Sequence, residues 1–370
     1  MTFDRLNIKL LEPSFRPWES RKESSRQVAV LMSGGVDSSV TAHLLKDQGW
    51  DVLGVTMKIP ISCETGGRGC CGADAALVCY ELDIPHYFID VAAIFKKLII
   101  ARFCRSYARG HTPNPCVDCN TLLKFSVLWD FLEVTFGIHY LATGHYAKIN
   151  EIAGKTYLGR ARDNLKDQSY FLYGITPRRL NRLIFPLGEL TKEEVRSIAR
   201  QKHLSIAEKA ESMELCFAGE GDYRVALGST NKPGDITDMQ DNRIGTHKGI
   251  ANYTLGQRRG IGYAGGKPLY VGKISSRTNT IALGTREEIS LRTIRANQMN
   301  TFIPDELVVD NHIYGKIRSY GEPQLCRIID VGRKKITVEF GEPQFAPCPG
   351  QRLVLYNNKD YIIGGGMICK

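Results

Sequence analysis

The apolar run Val28-Ala29-Val30-Leu31-Met32 passes directly into Ser33-Gly34-Gly35-Val36-Asp37-Ser38-Ser39. A strand that ends in a turn of small residues and feeds a helix, here starting at Ser38–Ser39, commits a chain to packing a helix back onto a parallel sheet. The two glycines let backbone N–H groups come close to a bound anion, and the serine hydroxyls and helix N-terminus add donors. Such a loop fits pyrophosphate. It lacks the Gly-Lys-Ser/Thr ending of a Walker loop, so ordinary γ-phosphate transfer is not its first reading.

The same alternation continues. Val28–Met32, Val52–Met57, Tyr87–Val91 and Tyr140–Thr143 read as strands, and Ser38–Gln48, Asp74–Leu82, Ala92–Arg109 and Thr121–Phe136 as helices. Repeated β-then-α units imply an open, mostly parallel sheet, with ligands bound beyond the carboxyl ends of its strands. Both the Ser33 loop and Thr143-Gly144-His145-Tyr146 fall at such ends. Thr191 and Glu194 have capping-box spacing at the head of another helix. Past residue 219 glycine and turn signals become dense. From Leu307 onward, Leu-Val-Val, Arg-Ile-Ile-Asp-Val, Ile-Thr-Val-Glu-Phe and Arg-Leu-Val-Leu-Tyr read as short strands of a small barrel. The expected division is an N-terminal extension (1–27) read as a tail, an α/β nucleotide-binding domain (28–220), a small β-rich domain (221–290) and a C-terminal β-barrel (291–370).

No apolar run approaches the roughly 20 residues needed to cross a membrane, and residues 1–27 lack a signal-peptide core. Eleven cysteines, an odd number spread along 370 residues, suit a reducing, cytoplasmic setting better than a disulfide framework. Reactive or metal-binding thiols are therefore the live question. Cys116 and Cys119 lie three residues apart just before the Thr121 helix, where a helix N-terminus favours thiolate. Cys216 is a second candidate nucleophile. No further Cys-x-x-Cys or His-x-x-x-His completes a zinc quartet. Cys79, Cys104, Cys326, Cys348 and Cys369 read as small core residues, and the Cys70-Cys71 pair has no derivable role. The formal charge of +10 fits a polyanionic partner. Arg178, Arg179, Arg182, Arg196, Lys248, Arg258, Arg259, Lys316, Arg327, Lys334 and Lys335 are the cations offered to phosphates. Tyr253 and Tyr263 are open to base stacking or to the core.

The loop resembles that of the ATP-pyrophosphatase (PP-loop) superfamily, whose members cleave ATP between the α and β phosphates to make an adenylate. The wider pattern resembles the tRNA-specific 2-thiouridylase family, which thiolates the wobble uridine. Its landmarks here are Met32 to Ser39, Thr112-Pro113-Asn114-Pro115, Cys119-Asn120, Ala142 to Tyr146, Lys166 to Tyr170, Cys216-Phe217, Tyr253 to Gly260 and Pro349-Gly350-Gln351. The resemblance implies ATP contacts from Leu31, Met32, Ser33, Gly34, Gly35, Val36, Asp37 and Ser38, with Met57 and Gly144. It implies Cys119 as nucleophile and Cys216 as carrier of a persulfide. Asn114, Pro115, Cys116, His145, Lys166, Asp167, Gln168, Arg318 and Gln351 fall where the family meets tRNA or the target base. It further implies tRNAs for lysine, glutamate and glutamine as substrates, Mg²⁺ with the ATP, and a sulfur-donor or sulfur-relay protein.

The chemistry follows from a poor electrophile. Attack of the uracil C2 oxygen on the ATP α-phosphate turns that oxygen into a leaving group, and sulfur from Cys216 then reaches C2 directly or through a Cys119–Cys216 disulfide. Asp37 reads as the magnesium-associated carboxylate or as a helix cap. A single-stranded anticodon loop gives access to the base. One departure stands out: many relatives carry aspartate where this chain has Cys116, leaving Asp118 or no base at all in that role. An iron–sulfur cluster on Cys116, Cys119 and Cys216 is the alternative to the persulfide. A ligase using another nucleophile, or a non-enzymatic RNA-binding or sensor module, are the other classes.

Overall fold

The computed structural model describes residues 3–19, 26–60, 71–210, 215–217, 232–263 and 266–369, so Cys70 lies outside the described residues. The chain forms two compact units: residues 1–98 with 117–221, and residues 99–116 with 222–370.

In the first unit, strands β1 (Lys9–Pro13), β2 (Gln27–Leu31), β3 (Asp51–Lys58), β4 (His86–Asp90) and β5 (Tyr140–Thr143) share one sheet. A hairpin of β6 (Lys148–Ile152) and β7 (Lys155–Gly159) lies outside it, and β8 (Leu183–Ile184) closes its far edge. The order is β1-β4-β3-β2-β5-β8, parallel except for β1. Central β2 is covered on both faces, which is why Val28 to Leu31 are apolar without alternation. Val30, Val40, Leu45, Val78, Leu187 and Val195 share one core cluster. Because β3 lies on one side of β2 and β5 on the other, the strand order reverses there. Leu31 pairs with Thr143 at that switch point, the place where such sheets bind ligands.

Helix boundaries correct three expectations. Helix α1 (Val36–Asp47) starts two residues earlier than Ser38, while α2 (Cys71–Glu81) covers the Asp74–Leu82 periodicity. The 92–109 segment is α3 (Ala92–Phe95), a π-helical stretch (Lys96–Ile100) and α4 (Ala101–Ala108). The helix expected at Thr121 begins at Pro115: α5 (Pro115–Asp118) runs into a π-helical stretch (Cys119–Leu128) and then α6 (Trp129–Phe136). Proline suits a first helical position because its missing N–H would go unused there. Both Cys116 and Cys119 therefore sit inside the helix, not ahead of it. Helix α7 (Lys192–Gln201) carries the complete Thr191/Glu194 capping box.

The N-terminal extension is not simply a tail. Strand β1 pairs antiparallel with β4 and covers what would be a bare sheet edge. Phe3 rests edge-on against Phe131, and Ser14 Oγ lies 2.6 Å from His86 Nδ1.

The second unit holds a four-stranded sheet in the order β10-β9-β12-β11, from β9 (Gly234–Thr237), β10 (Arg243–His247), β11 (Tyr270–Ser275) and β12 (Thr280–Gly284). Tyr253 belongs to its core while Tyr263 is exposed. A closed six-stranded barrel follows, built from β13 (Ser290–Thr301), β14 (His312–Lys316), β15 (Gln324–Gly332), β16 (Lys335–Phe345), β17 (Arg352–Tyr356) and β18 (Ile362–Cys369). Ile294, Ile328, Val338, Phe340, Leu353 and Ile363 fill it. The Leu307-Val308-Val309 run is not a strand: it lies between a 3-10 turn at Pro304–Glu306 and Asp310 at φ 65°, with Val308 and Val309 exposed.

Residues 99–116 pack with this unit. Thr112 N donates to Pro349 O at 2.9 Å, and Gln351 Nε2 donates to Thr112 O and Pro113 O at 3.2 Å each. Gly350, at φ +96°, passes so close that a Cβ there would lie 3.0 Å from Thr112 O. A Cβ on Gly110 would meet Ile274 Cγ2 at 2.7 Å.

Candidate active site

The loop after β2 is a preformed cradle. Gly34 takes φ 70°, a left-handed turn that a residue with a side chain adopts at a cost. Gly35 caps α1 through its backbone, without a side-chain capping bond. Ser33 N donates to Ser38 Oγ at 3.1 Å, and the hydroxyls of Ser38 and Ser39 donate to Gly35 O at 3.1 and 3.0 Å. Met32 is held to β3 on both sides, its N–H donating to Val55 O and its carbonyl accepting from Thr56 Oγ1. Half-buried Met57 lies next to the end of β3. From the other side of the switch point, Gly144 lies directly on the head of α1: a Cβ there would be 2.7 Å from both Asp37 C and Ser38 N. Leu31 to Ser38 and Gly144 are therefore one constellation around the N-terminus of α1, where partial positive charge and spare N–H groups favour phosphate oxygens.

Asp37 is not the helix cap. Its carboxylate accepts from Lys192 Nζ at 2.7 and 2.9 Å and from Tyr146 OH at 3.0 Å. Lys192 is a site residue the sequence reading missed. It lies 155 positions along the chain at the head of α7, and its only sequence trace is its place beside the Thr191 cap. Lys209 was missed too: Nζ donates to Gly34 O at 2.8 Å and pairs with Asp74.

His145 has a polar neighbour at each ring nitrogen. Asn120 Nδ2 donates to Phe171 O at 3.2 Å, which sets its amide, and also faces His145 Nε2 at 3.5 Å. On its other side His145 Nδ1 is hydrogen-bonded with Thr143 Oγ1 at 2.7 Å. Burial, aided by the Lys124 charge, pushes the His145 pKa down to about 3, so the imidazole is neutral at working pH. Phe125 and Phe185 stand 5.9 and 6.1 Å from its ring. Cys119, adjacent to Asn120, is buried at the first position of the π-helical stretch, a winding often found at functional sites. Asn114, Pro115 and Asp118 are buried and Cys116 is exposed.

The 166–168 segment supports this centre. Gln168 clasps Tyr146 through both backbone and side chain, with Tyr146 N donating to its Oε1 at 3.1 Å. Buried Asp167 accepts from the N–H groups of Ala161 and Ser169 and from Ser169 Oγ, with Arg160 Nε 3.5 Å away. Its carboxylate organises the loop. Lys166 is half-buried, its N–H donating to Asp163 O. Cys216 is exposed, and the neighbouring Phe217 ring meets Phe95 at 5.9 Å. In the second unit Arg318 Nη2 donates to Ala346 O at 2.8 Å, and Gln351 serves the 112–113 carbonyls as described.

Several of the offered cations are structural. Arg179 pairs with Asp130 and covers Trp129, Arg182 pairs with Glu133, Arg196 donates to Ala207 O and Lys209 O, Arg327 pairs with Asp310 and Glu339, and Lys316 is buried. Lys248, Arg258, Arg259, Lys334 and Lys335 are exposed. Burial pushes the Cys79 and Cys326 thiols up to about 12, in keeping with inert core residues. Among the described residues no group of three or more His, Cys, Asp or Glu side chains is placed to hold a metal ion. Mg²⁺ makes a smaller demand, since one or two carboxylates plus substrate phosphates suffice. Asp37 is the carboxylate the cradle offers.

Residues 26–220 match the family described as tRNA methyl transferase HUP domain, residues 226–285 its PRC-barrel domain, and residues 291–368 the aminomethyltransferase beta-barrel domain. The chain is 43% identical over 350 residues to "tRNA-specific 2-thiouridylase MnmA 1" of Syntrophus aciditrophicus, covering 93% of this chain and 92% of that protein. It is 42% identical to "tRNA-specific 2-thiouridylase MnmA" of Carboxydothermus hydrogenoformans, covering 93% and 98%. A solved U34-tRNA thiolase from Methanococcus maripaludis with its [4Fe-4S] cluster overlaps 54% of this chain and 65% of that one. At 18% identity and a TM-score of 0.30, the likeness is too slight to bear on mechanism.

Proposed function

The chain belongs to the tRNA-specific 2-thiouridylase family, and from that premise we propose that it replaces the C2 oxygen of the tRNA wobble uridine with sulfur at the expense of ATP. The observation that carries this reading is the direct seating of Gly144 on the N-terminus of α1, which leaves a phosphate cradle at the switch point of the sheet. The names of the relatives and of the domain families differ over the group transferred. The cradle favours the relatives' chemistry, because adenylation needs a place for pyrophosphate.

In this reading residues 28–220, apart from the 99–116 stretch that packs with the second unit, form the adenylating domain, and 221–290 and 291–370 hold the RNA. The uracil oxygen attacks the α-phosphate of ATP and pyrophosphate leaves. N–H groups at the head of α1 receive its charge, and Asp37, once Lys192 releases one of its oxygens, would hold the Mg²⁺ that accompanies the nucleotide. Neutral His145, its Nδ1 hydrogen-bonded with Thr143, orients the base and transfers no proton near neutral pH. Cys216, exposed, accepts sulfur from a donor protein as a persulfide. The terminal sulfur bonds to C2 and expels AMP, after which sheltered Cys119 attacks Cys216 Sγ and breaks the S–S bond, or Cys119 attacks first and the released hydrosulfide displaces AMP. Either order leaves a Cys119–Cys216 disulfide. A reducing cytoplasm then resets the thiols. The substrates are tRNAs for lysine, glutamate and glutamine.

The test is product formation on unmodified tRNA of that group, with Mg²⁺ and a sulfur source. 2-Thiouridine should appear with equimolar AMP and pyrophosphate, and should vanish when ATP is omitted or when Cys119 or Cys216 is changed to serine. Undiminished thiolation without ATP overturns the reading.

A further inference from the structure

We propose that Lys192 is the cation that binds the departing pyrophosphate, parked on Asp37 until the nucleotide arrives. The inference rests on the adenylating reading above and adds to it a residue outside the loop.

Three observations lead to it. First, the Met32–Ser39 loop carries a carboxylate and no Lys or Arg, so the cradle taken by itself is ill-matched to a polyanion. Second, Lys192 supplies the missing charge: its ammonium is bidentate on Asp37, in the first turn of α1, and its side chain is only 13% exposed. Third, Lys192 is badly placed for its own helix. It occupies the first position of α7, at the positive end of the dipole, where Glu193 and Glu194 are the favourable neighbours. The capping box and the Lys192 N–H bond to Asp163 Oδ2 hold the backbone there and aim the amine across at α1. The 5.8 Å approach of the ammonium to the Tyr146 ring, whose hydroxyl also donates to Asp37, fixes it further.

The chemistry then balances. The pyrimidine oxygen forms a bond to the α-phosphorus, the bond from that phosphorus to the α,β-bridging oxygen breaks, and its electron pair leaves with pyrophosphate. The ring N3 proton passes to water. Charge builds on the leaving group, and Lys192 meets it by giving up one Asp37 oxygen for a phosphate oxygen. Asp37 positions the lysine and Tyr146 keeps the carboxylate in place during the exchange.

Calorimetric titration of the full-length chain with inorganic pyrophosphate, ATP and AMP tests this in the wild type, Lys192→Met and Lys192→Arg. Lys192→Met should bind pyrophosphate about tenfold or more weakly, the scale of one lost charge-assisted contact. Its AMP affinity should be unchanged, and Lys192→Arg should recover most of the loss. Unchanged pyrophosphate affinity in Lys192→Met overturns the inference, as does an equal loss of AMP, which would mark a purely structural lysine. A wild-type chain that binds no ATP removes the adenylating reading and this inference together; one that binds ATP while Lys192→Met holds pyrophosphate normally removes the inference alone.

Discussion

At the scale of single residues, the site was legible wherever the chemistry is local to the backbone. Ser33 to Ser39 announce a phosphate loop because glycine, serine and strand–turn–helix order are enough to define it. Gly144 tells more in the structure than in the sequence. An added methyl would lie 2.7 Å from backbone atoms of α1, which cannot yield without moving the helix head. Overpacking of that kind costs about 1–3 kcal/mol. Gly144→Ala should accordingly weaken ATP binding by roughly tenfold with secondary structure intact, measured by calorimetry and circular dichroism; wild-type affinity would show that the cradle lies elsewhere. Lys192 and Lys209 were invisible beforehand because ion pairs across 155 and 135 positions leave no periodic or spacing signal. Asp167 shows the converse: the resemblance places it at the substrate, yet its carboxylate is occupied by the loop it organises.

At the scale of elements, central strands were easy and helix starts were not. Strands buried on both faces are bounded sharply by polar residues, so all four parallel runs fell within a residue or two of their observed limits. The 115–136 helix was misjudged at its head because Pro115 reads as a breaker unless it occupies the first turn. The β3–β4 pair carries a pH prediction. Fully buried His86 sits between Thr56 Oγ1, 2.8 Å from Nε2, and Ser14 Oγ at Nδ1, and burial pushes its pKa down to about 4. A lowered histidine pKa means that the unfolded chain takes up the proton first. The stability it lends is complete above about pH 6.5 and is lost as pH falls toward 4. That loss amounts to about 2 kcal/mol at pH 5. Hydrogen exchange of β3 and β4 amides should report faster global opening at pH 5 than at pH 8 once intrinsic rates are divided out. Equal protection at the two pH values would refute it.

At the scale of the whole molecule, the succession of α/β, β-rich and barrel regions could be read from the chain, but not the excursion between residues 98 and 117. Nothing in the 92–109 periodicity says that its second half packs with another unit. The barrel holds this segment through polar contacts to backbone carbonyls, which impose no pattern on the sequence being held. Gln351→Ala removes two such donors, at about 0.5–1.5 kcal/mol each. It should raise proteolytic cleavage around residues 110–113 and slow thiolation several-fold, while ATP affinity stays at the wild-type value. A fall in ATP affinity instead would give Gln351 a different task. The excursion also gives the second unit a part in shaping the 99–116 stretch. Asn114, Pro115 and Cys116 end a stretch whose fold depends on residues more than 200 positions downstream. A chain cut near residue 220 would keep every residue of its nucleotide cradle and still lose the scaffold beneath the stretch that ends at Cys116. The approach to Cys116 is thus organised by residues translated well after it.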